Sequence, residues 1–352
     1  MIADALGQGY AGRTCRRAGF EPLGCFGGAA HSGGQTAPLS EMRAVFLYNA
    51  SGRCYNEEKG GGTVEQGQIV KGYRNDDALR GSFDRLARRT FDLAFEDWYQ
   101  NGFWGDDYIP YSVVIDGAVA ANVSVNRTDF VLGGETKHFI QLGTVMTDER
   151  YRNRGLIRRL MAEIDRDFAG RADGVYLFAN DSVLNFYPKF GFRRAVELEY
   201  TKAVETAGAA FAEPVPMRDA AAWAALTGAI QASAPCGRFS LSGNTGLPLF
   251  YVSKFMQDCV CRIGDDAYAV AEQEGGTLCL HAVYAPAPPD LDAVVRAFGA
   301  GVRQVRLGFT PQSSAGWTPH ARREADTTLF VRGAGFDDFE RRGLMFPVLA
   351  HA

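Results

Sequence analysis

The sequence predicts an α/β fold, and three stretches carry that prediction. Residues 139–170 read as an apolar strand, a short turn and an amphipathic helix. Residues 111–132 read as a meander, with Asp116-Gly117 as one hairpin turn and Gly133-Gly134 as the next. The order of meander, helix and strand then returns weakly after residue 204. A length of 352 residues suggests two domains, and a hydrophobic fraction of 46% is enough to fill two cores.

Each element has a local reason. Residues 1 to about 41 hold nine glycines and little periodicity, and Glu57 to Gly62 reads as a linker, so residues 1–67 are expected to be a flexible N-terminal extension despite a short apolar run at Ala44–Tyr48. Ile69 to Arg74 reads as a first strand, and Asn75-Asp76-Asp77 offers a helix cap. Leu79, Phe83, Leu86, Phe91 and Phe95 then recur at helical spacing, continuing to Tyr99 before Gly102 and Gly105 break the pattern. Two strands flank Asp116-Gly117, a third ends at Leu132, and His138 to Met146 is the central strand. In the helix after it, Leu156, Ile157, Leu160, Met161, Ile164 and Phe168 form one apolar stripe. Gly174 to Ala179 reads as a buried strand, Asn180-Asp181-Ser182 as a cap, and Val183 to Lys189 as a short helix. Glu197 to Thr201 is expected to close this first sheet, and the alanine-rich stretch from 203 to 212 marks a boundary. The first organised unit is therefore 68–203 and the second 204–352. In the second, the pattern gives helices at 220–232 and 250–255, strands at 259–263, 267–272 and 277–284, a helix at 291–298 and a strand at 302–309.

Composition narrows the function classes. A formal charge of −4 and a pI near 5.8 give no general affinity for nucleic acid or anionic membrane. The seven cysteines, at 15, 25, 54, 236, 259, 261 and 279, include no Cys-x-x-Cys pair, which argues against a zinc site or a disulfide framework. No apolar run is long enough to span a bilayer, no secretory hydrophobic segment opens the chain, and a cytoplasmic location is expected. The sequons Asn122-Val123-Ser124 and Asn126-Arg127-Thr128 are then chance matches.

The strand-to-helix junction is where chemistry concentrates. The first turn of a helix presents unpaired N–H groups and a positive dipole end, which together hold phosphate oxygens. Gly155 lets backbone approach an anion, and Arg150, Arg152, Arg154, Arg158 and Arg159 gather positive charge in a chain whose balance is negative. The same residues serve equally well as an ordinary connection with solvated arginines. The stretch lacks Gly-x-x-x-x-Gly-Lys-Ser/Thr and lacks Gly-x-Gly-x-x-Gly with a later acidic residue, which weakens nucleoside triphosphate and nicotinamide readings.

Two motifs carry a family resemblance. Arg152-Asn153-Arg154-Gly155-Leu156-Ile157 resembles the Arg/Gln-x-x-Gly-x-Gly/Ala signature of the GNAT (Gcn5-related) N-acetyltransferases, with Ile157 where the family prefers Gly or Ala. Downstream, Asn185-Phe186-Tyr187-Pro188-Lys189-Phe190-Gly191-Phe192 resembles the family's last cofactor motif, with Tyr187 four residues before Gly191. The resemblance implies an α/β fold with a mixed sheet over 68–203, followed by a degenerate GNAT-like domain over 204–352 that helps wall the acceptor site. In that second half Ala285 to Asp290 brings prolines where a pyrophosphate needs N–H donors.

The resemblance also implies an activity: direct transfer of acetyl from acetyl-CoA, used as co-substrate without a metal, to a primary amine of a small molecule or peptide. It places Arg152, Asn153, Arg154, Gly155, Leu156, Ile157 and Asn185 on the cofactor, backbone amides of Val145, Met146 and Thr147 on the pantetheine and thioester carbonyl, and Tyr187 as the acid for the leaving thiolate. The base stays open. Gln141 stands where some members carry a glutamate and cannot accept a proton at neutral pH, which leaves Glu96, Asp97, His138, a water relay or the carboxylate of Ala352. Phe103 reads as core, whereas Trp104 and Tyr108 are open between core and acceptor pocket. Asp106 and Asp107 favour a cationic small molecule, and a homo-oligomer is left open. The rival from another class is a CoA- or amine-binding sensor or scaffold without turnover.

Overall fold

The computed structural model describes residues 67–351. The expected extension, apart from Gly67, lies outside them, as do the apolar run at Ala44–Tyr48, the linker and Ala352.

In chain order the strands and helices are β1 (Gln68–Lys71), α1 (Asp77–Phe91), α2 (Glu96–Gln100), β2 (Tyr108–Ile115), β3 (Ala118–Leu132), β4 (Glu135–Thr147), α3 (Leu156–Phe168), β5 (Gly174–Ala179), β6 (Arg193–Arg194) and β7 (Leu198–Ala203). There follow β8 (Glu213–Pro214), α4 (Ala220–Ala232), β9 (Phe239–Ser242), α5 (Gly246–Phe255), β10 (Val260–Arg262), β11 (Tyr268–Glu274), β12 (Thr277–Tyr284), α6 (Leu291–Ala297), β13 (Gln304–Leu307), β14 (Thr318–Ala321) and β15 (Thr328–Arg332).

Local chemistry explains most boundaries. Asp76 caps α1 by accepting from the Leu79 N–H at 3.0 Å. The expected helical run to Tyr99 breaks instead at Asp92, whose left-handed backbone (φ 55°) ends α1 and leaves α2 as a separate short helix. The Asp116-Gly117 and Gly133-Gly134 turns both have positive φ at both residues, the geometry that returns a right-twisted strand on itself. The third meander strand is absorbed into β3, which runs unbroken from Ala118 to Leu132. The helix expected over Val183–Lys189 resolves into two 3₁₀ turns, Asp181–Val183 and Tyr187–Phe190, with Pro188, which lacks a backbone donor, at the start of the second.

Two mixed sheets result. The first has the order β1-β2-β3-β4-β5-β15-β6, with β9 added along the far end of β3. The second has the order β8-β10-β11-β12-β13-β7-β14. In each, one strand pair is parallel, β4 with β5 and β12 with β13, and each such pair is joined by a helix crossover through α3 or α6. The orders match position by position.

That correspondence corrects one expectation. The strand around residues 197–201 does not close the first sheet: β7 pairs with β13 and β14 in the second sheet, while β15 from the far end of the chain takes the place beside β5. The halves exchange a strand across the boundary expected at 203/204. The reason lies in what each strand buries. Tyr200 of β7 is buried in the core of the second sheet with Leu278, Val305 and Leu307, and Phe330 of β15 is buried in the first with Val145, Leu160 and Tyr187. A third core, holding Phe83, Phe95 and Trp98 together with Phe250, Met256 and Phe346, draws on both halves. Among the described residues no helix is long and apolar enough to cross a membrane.

Candidate functional site

The first sheet opens next to α3. The parallel pairs of β4 with β5 run from Phe139–Gly174 to Gln141–Tyr176, after which β4 continues alone on that side to Thr147 and β5 to Ala179. On its other edge β4 stays paired with β3, with a bulge: Gly143 faces Ser124 and Met146 faces Asn122, so two residues of β4 oppose Val123 alone. Thr144 in that bulge has φ 48°. Val145, Met146 and Thr147 are therefore held on one side and released on the other, and their side chains are all buried.

Asp148 ties off the strand. Its N–H donates to the Ala120 carbonyl at 2.8 Å, and its carboxylate accepts from Arg89 at 2.8 Å and from the Arg150 guanidinium at 2.9 and 3.1 Å. The hydrogen bond from Arg150 is the chief reason its carboxyl titrates below the usual range. Two of the nearby arginines are thus consumed in holding a carboxylate rather than offered to a ligand.

The turn then presents backbone. Asn153 (φ 62°) and Gly155 (φ 72°) are both left-handed, a conformation that asparagine tolerates and glycine adopts without cost. Gly155 is the N-cap of α3, no side chain caps that helix, and its first turn carries no acidic residue. A Cβ placed on Gly155 would meet nothing within 4 Å among the described residues, so the space beside that residue is open. Leu156 and Ile157 point the other way, into the core shared with Val145 and Tyr187, which is why a bulky Ile157 is accommodated where the motif prefers a small residue. Arg152 pairs with Glu149 at 3.3 Å, and its Nε is buried with no hydrogen-bond partner among the described residues. Arg159 donates to the Gly67 carbonyl at 3.1 Å. Arg154 lies over the Tyr151 ring at 5.2 Å, and neither it nor Arg158 has a carboxylate partner among the described residues. Both are exposed.

The matching helix end in the second sheet is closed. Asp290 caps α6 by accepting from the Asp292 N–H at 3.0 Å, and Asp292 adds an acidic residue to the first turn. The Asp290 side chain takes a first-turn N–H that an anion would need, and both carboxylates are paired, Asp292 with Lys202 at 2.7 Å and Asp290 with Arg296 at 3.8 Å.

The downstream motif packs against the same core. Tyr187 is 1% exposed, with its ring 5.7 Å from Phe330, 6.2 Å from Phe192 and 5.3 Å from Phe186, while Asn185 is exposed between the two 3₁₀ turns. The second half secures this stretch. Asp326 accepts from the Asp181 N–H at 2.7 Å and from Asn180 Nδ2 at 3.1 Å, and Arg332 donates to the Phe190 carbonyl at 2.9 Å while pairing with Asp165.

The candidate bases do not join this cluster. Glu96 accepts from Arg80 at 2.9 Å, and that contact leads the causes that lower its pKa, the opposite of what a base working at neutral pH needs. Asp97 pairs with Lys254 at 3.1 Å. His138 pairs with Asp129 at 2.9 Å, which raises its pKa, and lines a cavity of about 330 Å³ with Arg127, Arg171 and Asn244. That cavity sits beside Phe168, a helix length of ~20 Å from Gly155 at 1.5 Å per residue. Trp104 and Tyr108 are core: with Phe83, Phe95, Trp98 and Phe250 they form a packed aromatic cluster. Phe103 is only half-buried, against Trp223. Asp106 and Asp107 are each paired with an arginine, Arg74 at 2.8 Å and Arg127 at 3.0 Å, which removes their pull on a cationic acceptor.

Sequence reasoning missed the polar residues behind the bulge. Asn122, Ser124, Asn126 and Thr128, the residues of the two sequons, are all buried, and with Ser112 they fall at alternate positions of β2 and β3. Polar residues at period two inside otherwise apolar strands were the available signal.

Comparison with known proteins agrees with the motifs. Residues 75–192 match the model of the acetyltransferase (GNAT) family. Similar solved structures include a probable N-acyltransferase of unknown function from Enterococcus faecalis V583 (13% identity, 77% of this chain and 74% of that one, TM-score 0.48). A GCN5-related N-acetyltransferase from Kribbella flavida (17%, 78% and 73%, 0.45) and Eis1 from Mycobacterium abscessus (15%, 66% and 70%, 0.40) are others. Among curated proteins none matches the chain. The stretch that matches the acetyltransferase (GNAT) family, residues 75–192, spans the bulged strand, the Gly155 turn and the Tyr187 motif.

Proposed function

We propose that the chain is an acetyl-CoA-dependent N-acetyltransferase of the cytoplasm that transfers acetyl directly to a primary amine of a small molecule or peptide. The observation that carries this reading is the helix end of α3 at Gly155, without a side-chain cap, open beside Gly155 and following a strand that has parted from its neighbour. Backbone N–H groups of Gly155, Leu156 and Ile157 bind the pyrophosphate, with Arg152, Asn153 and Arg154 around it and Asn185 at its edge. Amides of Val145, Met146 and Thr147 hold the pantetheine arm and polarise the thioester carbonyl. Tyr187 gives its phenolic proton to the departing thiolate. The base that deprotonates the ammonium is not assigned to any one residue, and water reaching the open edge of β4 serves the reading best, because Glu96 and Asp97 are engaged by cations and His138 is remote. The second sheet is read as a degenerate GNAT-like half that braces the first.

A second reading is a CoA-binding module without turnover, and the burial of Tyr187 favours it, since an acid must reach the sulfur it protonates. Incubation with acetyl-CoA and a broad amine library, monitored by free thiol release, separates the two. Transfer that falls about 100-fold in Tyr187→Phe with unchanged CoA affinity is the expected result, within the range of a general acid's contribution. Full transfer in Tyr187→Phe removes the acid role, and no acetylated amine in the wild type supports the silent module.

A further inference from the structure

Thr144 is a β-branched residue in the left-handed region, fully buried, at the bulge where β4 leaves its parallel partner. Such residues avoid that conformation, and it persists only where surrounding contacts impose it. Here the contacts are specific. The Thr144 carbonyl accepts from Asn122 Nδ2 at 2.9 Å, and its Oγ1 lies 2.6 Å from the Tyr108 hydroxyl. Asn122 Nδ2 also donates to Ser124 Oγ at 2.9 Å, and Asn122 Oδ1 accepts from Ser112 Oγ at 2.9 Å. Ser112 Oγ is 2.6 Å from the Tyr73 hydroxyl. All six residues are buried.

The proton inventory fixes most directions. An amide oxygen only accepts, so Ser112 spends its one proton on Asn122, and Tyr73 must donate to Ser112. Both amide protons of Asn122 are then used, one on Ser124 and one on the Thr144 carbonyl. The chain is thus polarised from Tyr73 toward the bulge. A regular ladder with apolar side chains at Ser112, Asn122 and Ser124 would fill the same volume with no buried polar groups to satisfy. The network's distinctive product is a bent backbone at one place, immediately before Val145.

We propose that Tyr108 and Asn122 are positioning residues: through Thr144 they hold the bulge and so aim the backbone amides of Val145, Met146 and Thr147 at the thioester. This rests on the acetyl-transfer reading, and its test has one readout that does not. Tyr108→Phe keeps the ring in its aromatic cluster and removes only the hydroxyl. Hydrogen exchange of the amides of residues 144–147 is expected to speed up by about tenfold in Tyr108→Phe, as local opening becomes easier, with those of β2 unchanged. In the same variant kcat is expected to fall by about tenfold or more at unchanged CoA affinity, since displacing a reacting geometry by ~1 Å costs up to ~100-fold. Asn122→Asp, which keeps an acceptor for Ser112 but removes both amide donors, is expected to do the same. Unaltered exchange at 144–147 in both variants overturns the proposal whatever the activity. So does altered exchange with full kcat. Altered exchange in the variants, alongside a wild type that proves inactive toward every amine, leaves the bulge control standing and overturns the acetyl-transfer reading instead.

Discussion

Arg154 and Arg158 are the cations beside Gly155 that no carboxylate engages among the described residues, whereas Arg150 and Arg89 are spent on Asp148. Counting arginines in the sequence therefore overstates the charge available to a phosphate, and the structure divides them by partner. Replacing both with alanine should weaken CoA binding by about tenfold at low salt and by less at high salt, because exposed charges are screened beyond a Debye length of ~8 Å at physiological ionic strength. Calorimetry at two salt concentrations measures this. Equal loss at both would mean the arginines act by packing rather than charge. At the same scale, Gly155 was legible as the turn from strand to helix, because a glycine adopts positive φ there without cost. Thr144 was not. No glycine or asparagine marks the bulge, and the hydrogen bonds that impose φ 48° come from residues 20 or more positions away in sequence, or from β2.

The elements around Tyr187 are held by a strand from the other end of the chain. Asp326 closes the turn at Asn180–Asp181, and Phe330 and Arg332 of β15 contact Tyr187 and the carbonyl that ends its 3₁₀ turn. Asp326→Ala removes two hydrogen bonds to that turn, a loss comparable to a helix cap at about 1 kcal/mol, which for a chain of this size lowers Tm by roughly 1–2 °C. Thermal unfolding should show that drop together with a lower kcat at unchanged CoA affinity. An unchanged kcat would separate β15 from the site. Strand and helix periodicities gave most of these elements, including β12 and α4 to the residue, because burial patterns are local. They failed where a competing local rule intervened: at Asp92, and at the broken turns around Pro188.

For the molecule as a whole, the two sheets share one strand order and exchange their sixth strands, β15 for β7. The sequence shows the echo of meander, helix and strand, but a strand's partner is set by contacts between residues far apart, so β7 reads as the end of the first sheet until Tyr200 is seen in the second core. A fragment of residues 68–203 lacks β15 and carries β7 with its apolar face uncovered. It should fail to unfold cooperatively in calorimetry or circular dichroism, because its β5 edge and the pocket filled by Phe330 are left bare. A sharp, reversible transition in that fragment would show that the halves are independent.

The proposed grip of main-chain nitrogen at the start of α3 on a diphosphate is tested most directly by titration of the wild type and Gly155→Val with coenzyme A. The wild type should bind one equivalent. The valine, β-branched at φ 72° and occupying the open space beside the helix end, should weaken binding by tenfold or more, about 1.4 kcal/mol per decade. No heat with the wild type, or equal affinity in a folded Gly155→Val, would contradict it.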